Sequence, residues 1–337
     1  MNTSKTSMEI YHYPVMLKEV IKICKPENGG TYLDCTFGGG GYTKEILKFP
    51  NTKVFAIDRD DASEKKADFF KLKFKDRFTF FKNKFSNLDK IIKKDEIDVI
   101  IFDLGISSIQ LKDLSRGFSF KSQDKLNMSM GLSELTAEDV VNKCDEKILK
   151  LIIKFLGEET ESSKIVRNII HQRKLKKISL VSDLVKIIEN SKKKNYQKNI
   201  NLSTKTFQAI RMFVNKEVTE LVSAIIKASE LIKPSGKIVI ISFHSIEDKI
   251  VKFFFNNYSI NKPKPSRYFP EDESTGINLF ENNRNFFLKP SINEIKKNPS
   301  SRSAKLRYVV RSKEKFKYPK DLILKFKKYL DIEKIHV

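Results

Sequence analysis

The strand-like run Tyr32-Leu33-Asp34-Cys35-Thr36 leads straight into Phe37-Gly38-Gly39-Gly40-Gly41-Tyr42-Thr43, and a second run, Val54-Phe55-Ala56-Ile57, ends in Asp58. Residues of these types, so spaced, suit the holding of a nucleoside. Glycines let the backbone approach a bulky ligand where a Cβ would clash, and an acid closing the next strand can take both ribose hydroxyls. A tight turn alone would account for the glycines, but not for the strand before them, the helix-like sequence after them and the acid at the next strand end. Two further segments carry small and polar groups directly after apolar runs: Asp103-Leu104-Gly105-Ile106-Ser107-Ser108 and Ser242-Phe243-His244-Ser245. In an open parallel sheet such strand ends converge where strand order reverses, and ligands bind there.

The elements that must place these ends read as alternating strands and helices. Strands are expected at Tyr32 to Thr36, Lys53 to Asp58, Phe78 to Phe81 and Asp98 to Asp103. Helical spacing fits Pro14 to Cys24, Gly41 to Leu47, Asp61 to Phe74 and Asn87 to Lys93. This alternation predicts an α/β fold with a parallel, doubly wound sheet. From about Ser133 to Lys194 the pattern is helical throughout, with Thr136 and Asp139 placed as a capping box, then Ile148 to Leu156, Ser162 to Arg173 and Leu180 to Glu189. One long helix, Thr206 to Ile232, is expected to stop at Lys233-Pro234-Ser235-Gly236. Lys237 to Phe243 then reads as a buried strand, so the sheet resumes and the helical block is an insertion. A helix at Ile246 to Phe255, a loop from Asn256 to Ser300 and a last strand at Lys305 to Arg311 follow. The Lys-rich stretch from Ser312 to Val337 reads as a solvated extension.

The chain has 337 residues, 65 basic against 42 acidic, for a net charge of +23. Such a balance attracts polyanions such as nucleic acid or an anionic membrane surface. Only 11 of the basic residues are Arg, and Lys is spread over every polar stretch, so the arginines are the more telling cations. Cys24, Cys35 and Cys144 are few and far apart, as are His12, His171, His244 and His336. That argues against a disulfide framework and against a metal site, and a reducing cytoplasm fits best. No run approaches membrane-spanning length, so no membrane partner is expected. Oligomeric state leaves no mark in the sequence.

Several segments together resemble one family. They are Tyr13-Pro14-Val15-Met16-Leu17, Asp34-Cys35-Thr36-Phe37-Gly38, Phe102-Asp103-Leu104-Gly105-Ile106-Ser107-Ser108, Arg116-Gly117-Phe118-Ser119-Phe120, Gly157-Glu158-Glu159, Thr206-Phe207-Gln208-Ala209-Ile210-Arg211, Ser242-Phe243-His244-Ser245 and the run from Asn298 to Arg307. In this order, from about Tyr11 to Arg311, they resemble the bacterial 16S ribosomal RNA (cytosine-N4)-methyltransferases. The resemblance implies a Rossmann-like class I methyltransferase sheet carrying an all-helical insertion. It divides the chain into residues 1–112 and 204–311 for the methyltransferase domain, 113–203 for a substrate-binding insertion and 312–337 for the extension. It implies S-adenosylmethionine as cofactor and 16S rRNA within the small ribosomal subunit as substrate.

Carried over position by position, the resemblance places Gly38, Gly40, Gly41 and Tyr42 against the cofactor, Asp58 on the ribose hydroxyls and Phe85 near the adenine. Asp103 and Gln110 would complete the pocket. Without the resemblance, ordinary core packing is the better reading of Phe85 in a chain with 26 Phe. Cytosine N4 is a poor nucleophile, so acceptors that localise its lone pair are needed. Asp103, the carbonyls of Leu104 and Gly105, and the hydroxyls of Ser107 and Ser108 are acceptors of the right type. His244 is the second candidate for proton removal, unless it only braces the helix start that follows. Arg116, Arg211, Arg302 and Arg307 are candidate RNA contacts, with internal salt bridging as the alternative. Two other readings compete. A nicotinamide oxidoreductase on the same sheet is disfavoured because the position three after Gly40 is Thr43, which breaks Gly-x-Gly-x-x-Gly spacing. A non-catalytic RNA-binding assembly factor would keep the pocket without using it. Finally, Asn127-Met128-Ser129-Met130 stands where the family pattern has Asp-Met-Arg-Met, and Tyr42 where it has His.

Overall fold

A computed structural model describes residues 14–192, 201–260, 276–281 and 286–337. The polar start at Met1 to Ile10, His12 and Tyr13, Lys193 and Lys194 of one lysine cluster, the Ser108 hydroxyl and much of the expected loop before Ser300 lie outside the described residues.

Six strands form one sheet: β1 (Gly30–Asp34), β2 (Thr52–Asp58), β3 (Phe78–Lys82), β4 (Val99–Asp103), β5 (Lys237–Ser242) and β6 (Lys305–Val310). Their spatial order is β3-β2-β1-β4-β5-β6, parallel except for β6, which runs antiparallel to β5. Strand order therefore reverses between β1 and β4. Helices α1 (Leu17–Cys24), α2 (Gly41–Ile46) and α3 (Asp61–Phe74) follow the first strands, and α4 (Ser108–Lys112) follows β4.

Alternation within each strand sends side chains to opposite faces. Tyr32, Val54, Val99, Ile101, Val239 and Ile241 pack with Val20 of α1, Ile46 of α2 and Phe70 of α3. Leu33, Phe55, Ile57, Ile100, Phe102, Ile238 and Ile240 face the other way, into a core shared with the helical insertion. That insertion holds α5 (Ala137–Lys143), α6 (Glu146–Leu151), α7 (Ser162–Leu175) and α8 (Val181–Ser191). The expected capping box is present: Thr136 accepts from the Asp139 amide and Asp139 accepts from the Thr136 amide.

Four expectations need correction, the first being the loop from Asn256 to Ser300, which contains a short helix at Ile292–Lys297. The long helix from Thr206 to Ile232 is two, α9 (Thr204–Asn215) and α10 (Glu217–Leu231), broken where Lys216 turns left-handed at φ 52°. Asn87 to Lys93 is replaced by a 3-10 turn, Phe85–Lys90, whose Asn87 leaves helical geometry. After α11 (Ser245–Asn257) and α12 (Ile292–Lys297), the C-terminal stretch is not merely solvated. It forms α13 (Lys320–Glu333), which buries Leu322, Phe326, Leu330 and Ile332 against α10 and α11. Its lysines sit on an amphipathic helix, and the apolar residues at helical spacing between them account for the docking. Among the described residues, no helix is long and apolar enough to cross a membrane.

Candidate functional site

The carboxyl ends of β1, β2 and β4 open on one pocket, which takes in the turn after β5 as well. It is lined by Thr36, Phe37, Gly38, Gly39, Gly41 and Tyr42 on one side, by Asp58, Arg59, Asn83 and Phe85 on another, and by Asp103 to Ser107, Gln110 and Phe243 opposite. Pro14, Val15, Asn298 and Ser300, from the two ends of the chain, close it. The pocket lies at the strand-order reversal, where the sheet geometry calls for a ligand.

The glycines divide into two kinds. Gly38 adopts φ +52° and a Cβ there would meet nothing closer than 3.8 Å, so its backbone faces open pocket. Gly40, expected in the pocket wall, does not line it. Its φ is +74°, and a Cβ would strike the rings of Phe70 and Phe37 at 2.6 to 2.8 Å. Gly40 is therefore a packing glycine, and Gly39 takes its place in the wall.

Asp58 closes β2 and accepts bonds from the amides of Gly38 (2.7 Å) and Asp60 (2.9 Å). The Gly38 bond ties the glycine loop to the acid and aims the carboxylate along the wall. Burial pushes its carboxyl above the usual range, against those two amide bonds. Phe85 stands edge-on to Phe102 at 5.8 Å, presenting part of its ring to the pocket and part to the core.

Asp103 is half-buried, and its buried Oδ1 has no hydrogen-bond partner. Its amide donates to Thr36 Oγ1 at 2.7 Å, which locks the ends of β1 and β4 together. Burial, with Asp34, Glu247 and Glu294 nearby, pushes the Asp103 carboxyl up to about 8. Such a group is an unsatisfied acceptor kept largely neutral by its surroundings. A cationic ligand would reverse that balance.

Gln110 and Ser107 line the pocket, yet their polar atoms are largely committed. Ser107 Oγ accepts from the Gln110 amide (3.2 Å), and Gln110 Oε1 accepts from the Ser107 amide (3.0 Å), a reciprocal cap on α4. Gln110 Nε2 donates to Asp60 Oδ2 at 2.6 Å. Asp60, which sequence reading passed over, also receives Arg116 Nη1 at 2.5 Å and caps α3 through the Ala62 amide. Burial acts to raise the Asp60 carboxyl, but the bonds from Gln110, Ala62 and Arg116 outweigh it and hold the group below the usual range.

Three of the four arginines expected on RNA are occupied within the fold. Arg116 holds Asp60, Arg211 forks onto Glu217 (2.8 and 2.9 Å), and Arg307 bonds Asp248 (2.8 Å). Their guanidinium groups are not free for phosphate, and the internal-pairing alternative accounts for all three. Arg302 is different: it is exposed, has no ion-pair partner among the described residues, and sits two residues from pocket-lining Ser300.

His244 does not line the pocket. It caps α11: its Nδ1 accepts from the Glu247 amide at 3.4 Å, while Glu247 Oε2 accepts from the Phe243 and His244 amides. A neutral ring whose Nδ1 accepts carries its proton on Nε2. That Nε2 is buried 3.1 Å from Glu247 Oε1 without hydrogen-bond geometry. The bracing alternative therefore describes His244. Glu217, His244 and Glu247 bring ligand-type atoms within 4.8 Å, a grouping hidden in the sequence. Glu217 is already forked by Arg211, and Glu247 is already bonded by the Phe243 and His244 amides, so the group reads as a part-buried charge network.

Sequence reasoning missed Arg59 and Asn215. Asn215, at the end of α9, accepts on Oδ1 from Arg59 Nη2 (2.7 Å), the Met130 amide (2.9 Å) and Ser133 Oγ (2.9 Å). It donates through Nδ2 to the carbonyls of Met128 (2.8 Å) and Arg211 (2.9 Å). Arg59 Nε adds a bond to the Met130 carbonyl at 2.6 Å, and Arg116 Nη2 one to the Ser129 carbonyl at 2.8 Å. The departing run Asn127-Met128-Ser129-Met130 is thus held through its backbone. No one-dimensional spacing links positions 59, 130 and 215.

Residues 9–312 match the sequence model of the MraW methylase family. The chain is 40% identical over 304 residues to Ribosomal RNA small subunit methyltransferase H of Ehrlichia canis, covering 89% of this chain and 99% of that protein. It is 38% identical over 313 residues to the same-named protein of Orientia tsutsugamushi, covering 91% and 100%, and 39% identical over 305 residues to that of Rickettsia bellii, covering 89% and 98%. The matched residues take in every strand of the sheet and every wall of the pocket, and with agreement over nearly the whole length of each relative the chain belongs to the MraW methylase family.

Proposed function

We propose that this protein transfers a methyl group from S-adenosylmethionine to N4 of a cytidine in 16S rRNA of the small ribosomal subunit, in the bacterial cytoplasm. The observation that carries the reading is the convergence of Gly38, Gly41, Tyr42, Asp58, Phe85 and Asp103 on one pocket at the strand-order reversal. The residues fit the cofactor: Asp103 offers an unpartnered buried oxygen that a cation would satisfy, and Asp58 offers a carboxylate fixed by two amides. Asp58 would take the ribose hydroxyls, Phe85 the adenine edge, and Gly38, Gly39, Gly41, Tyr42 and Asp103 the methionine end. When bound, S-adenosylmethionine supplies an activated methyl group on a sulfonium.

The protein's own task is alignment and acceptance of charge. Reacting atoms must be brought to about 3 to 3.5 Å in line. The turn Asp103-Leu104-Gly105, with φ +93° at Gly105 and the Phe243 ring across from it, forms the wall where a planar base would lie. Carbonyl oxygens of that turn would accept from the amino group, localise its lone pair and stabilise the positive charge that develops. Ser107 keeps its own hydroxyl proton for donation, since its oxygen accepts from Gln110. Arg302, exposed beside the pocket, is the arginine available to a phosphate.

Methyl transfer to isolated small subunits, followed by mass mapping of the modified nucleotide, tests substrate, position and class together. Calorimetric titration with NAD in place of S-adenosylmethionine tests the oxidoreductase alternative, and NAD binding would overturn the reading. Cofactor binding without transfer to any ribosomal particle would favour an assembly factor instead.

A further inference from the structure

A second concavity, an open groove of about 640 Å³, lies between α1 and the outer strand β6. Lys18, Lys22, Lys25 and Lys237 line it together with Phe286 and Tyr308. Lys18, Lys22 and Lys25 recur at i, i+4 and i+7 along α1 and its C-cap, a span of about 10 Å at 1.5 Å per residue. Lys237, at the start of β5, donates to the Ile23 carbonyl at 2.7 Å. Burial, and then Lys25 nearby, holds its ammonium below the usual range.

None of these four lysines has a carboxylate partner among the described residues, and Glu19 is the one acid in the groove wall. Some lysines elsewhere do find an acid, as Lys227 does with Asp89 and Lys233 with Asp98. Beside these uncompensated cations stand two exposed rings, Phe286 at 55% and Tyr308 at 38%. Unpaired ammonium groups next to open aromatic faces match the requirements of single-stranded nucleic acid, which brings phosphates for the charges and bases for the rings. A folded protein partner fits less well, because lysine is depleted at the centres of such interfaces.

The groove and the pocket have no lining residue in common, but two chain segments run from one to the other. Pro14 and Val15 line the pocket just before α1 begins, and Lys18 follows one turn on. On the far wall, the chain between Leu288 and Leu306, paired beside each other, carries pocket-lining Asn298 and Ser300. We propose that the groove between α1 and β6 is a second RNA-binding surface, taking a single-stranded segment of the RNA whose cytidine enters the pocket. This rests on the function proposed above.

The test compares K18Q/K22Q/K25Q, Tyr308→Ala and Tyr308→Phe with the unaltered protein. Binding is measured over a salt series to a mixed-sequence single-stranded oligoribonucleotide and to protein-free small-subunit rRNA. The triple variant should lower the salt slope by about 2, one phosphate's worth of counterion release per lysine at the single-strand value. Tyr308→Ala should lose about tenfold in affinity, and Tyr308→Phe should restore it, since stacking needs the ring alone. With ribosomal particles, KM should rise while kcat and S-adenosylmethionine affinity stay level, which also shows that each variant is folded. Unchanged slope and affinity in variants of a protein that methylates particles would overturn the groove. A loss confined to intact particles and absent with protein-free rRNA would also overturn it, in favour of a ribosomal protein. If the unaltered protein methylates no particle, the proposed function fails, and the oligoribonucleotide slopes still decide the groove.

Discussion

Tyr42 Oη lies 3.2 Å from Asp103 Oδ2, and the one proton of that phenol is already claimed by the Val15 carbonyl at 2.5 Å. The contact between the two side chains is then closed by a proton held on Asp103. That agrees with a carboxyl pushed up to about 8 by burial. Asp103→Asn can still donate to Tyr42 but cannot ionise. We expect it to keep its thermal midpoint within a few degrees and to lose roughly 10- to 100-fold in S-adenosylmethionine affinity, as one charge-assisted contact would predict. Calorimetry on the folded variant checks this.

The same proton sets a pH dependence. Below about pH 8 the Asp103 carboxyl is protonated and must release its proton to meet a cation. Cofactor affinity should therefore rise with pH, up to about tenfold per unit, and level off above pH 8. Titrations in buffers of different ionisation enthalpy should report proton release at pH 7 and none at pH 9. Asp103→Asn should flatten the curve.

Arg116 and Arg302 should behave oppositely. Arg116→Ala leaves Asp60, 5% exposed in its side chain, without its cation. Removing one partner of such a pair costs on the order of 3 kcal/mol, so a clear fall in denaturant midpoint is expected. Arg302→Ala should leave the midpoint unchanged and weaken rRNA binding equally across sequences. A stability loss at Arg302, or none at Arg116, would reverse the assignment.

His244→Ala should lower thermal stability through loss of the α11 cap, by about 1 kcal/mol. Single-turnover methyl transfer should change less than threefold. A loss of two or more orders of magnitude in that step would return His244 to the role of base.

Glu333 docks α13 by accepting from the amides of Val218 (3.0 Å) and Thr219 (2.7 Å) at the start of α10. Burial pushes its carboxyl from 4.5 to about 8. A folded value above the unfolded one means the native state holds the proton more tightly, so this group makes stability fall as pH rises from about 4.5 to about 8. The drop in melting temperature between pH 5 and pH 8.5 should be smaller in Glu333→Gln. Removing residues 313–337 should destabilise the protein outright, because it uncovers the residues packed beneath α13.

The chemistry-bearing strand ends were legible in the sequence because each follows a short apolar run and the sheet brings such ends together. Asp58 and Asp103 could be placed from that alone. What could not be read is pairing across the chain. Arg116, Arg211 and Arg307 sit in motifs suggestive of RNA contact, and only three dimensions reveal Asp60, Glu217 and Asp248 opposite them. Gly40 likewise looks the same as its neighbours until Phe37 and Phe70 are seen against it. The break at Lys216 was invisible because apolar spacing continues through it, while the left-handed turn is fixed by contacts from both sides.

Asn215 has a consequence for how the molecule is held together. Its amide, 2% exposed, makes its full set of bonds only when Arg59, the stretch from Met128 to Ser133 and the last turn of α9 are all in place. Any two of these without the third leave that set of bonds incomplete. The end of β2, the stretch from Met128 to Ser133 and α9 are thus tied together at residue 215, and the methyl-donor pocket, walled by Arg59 and Met130, is anchored to the same point.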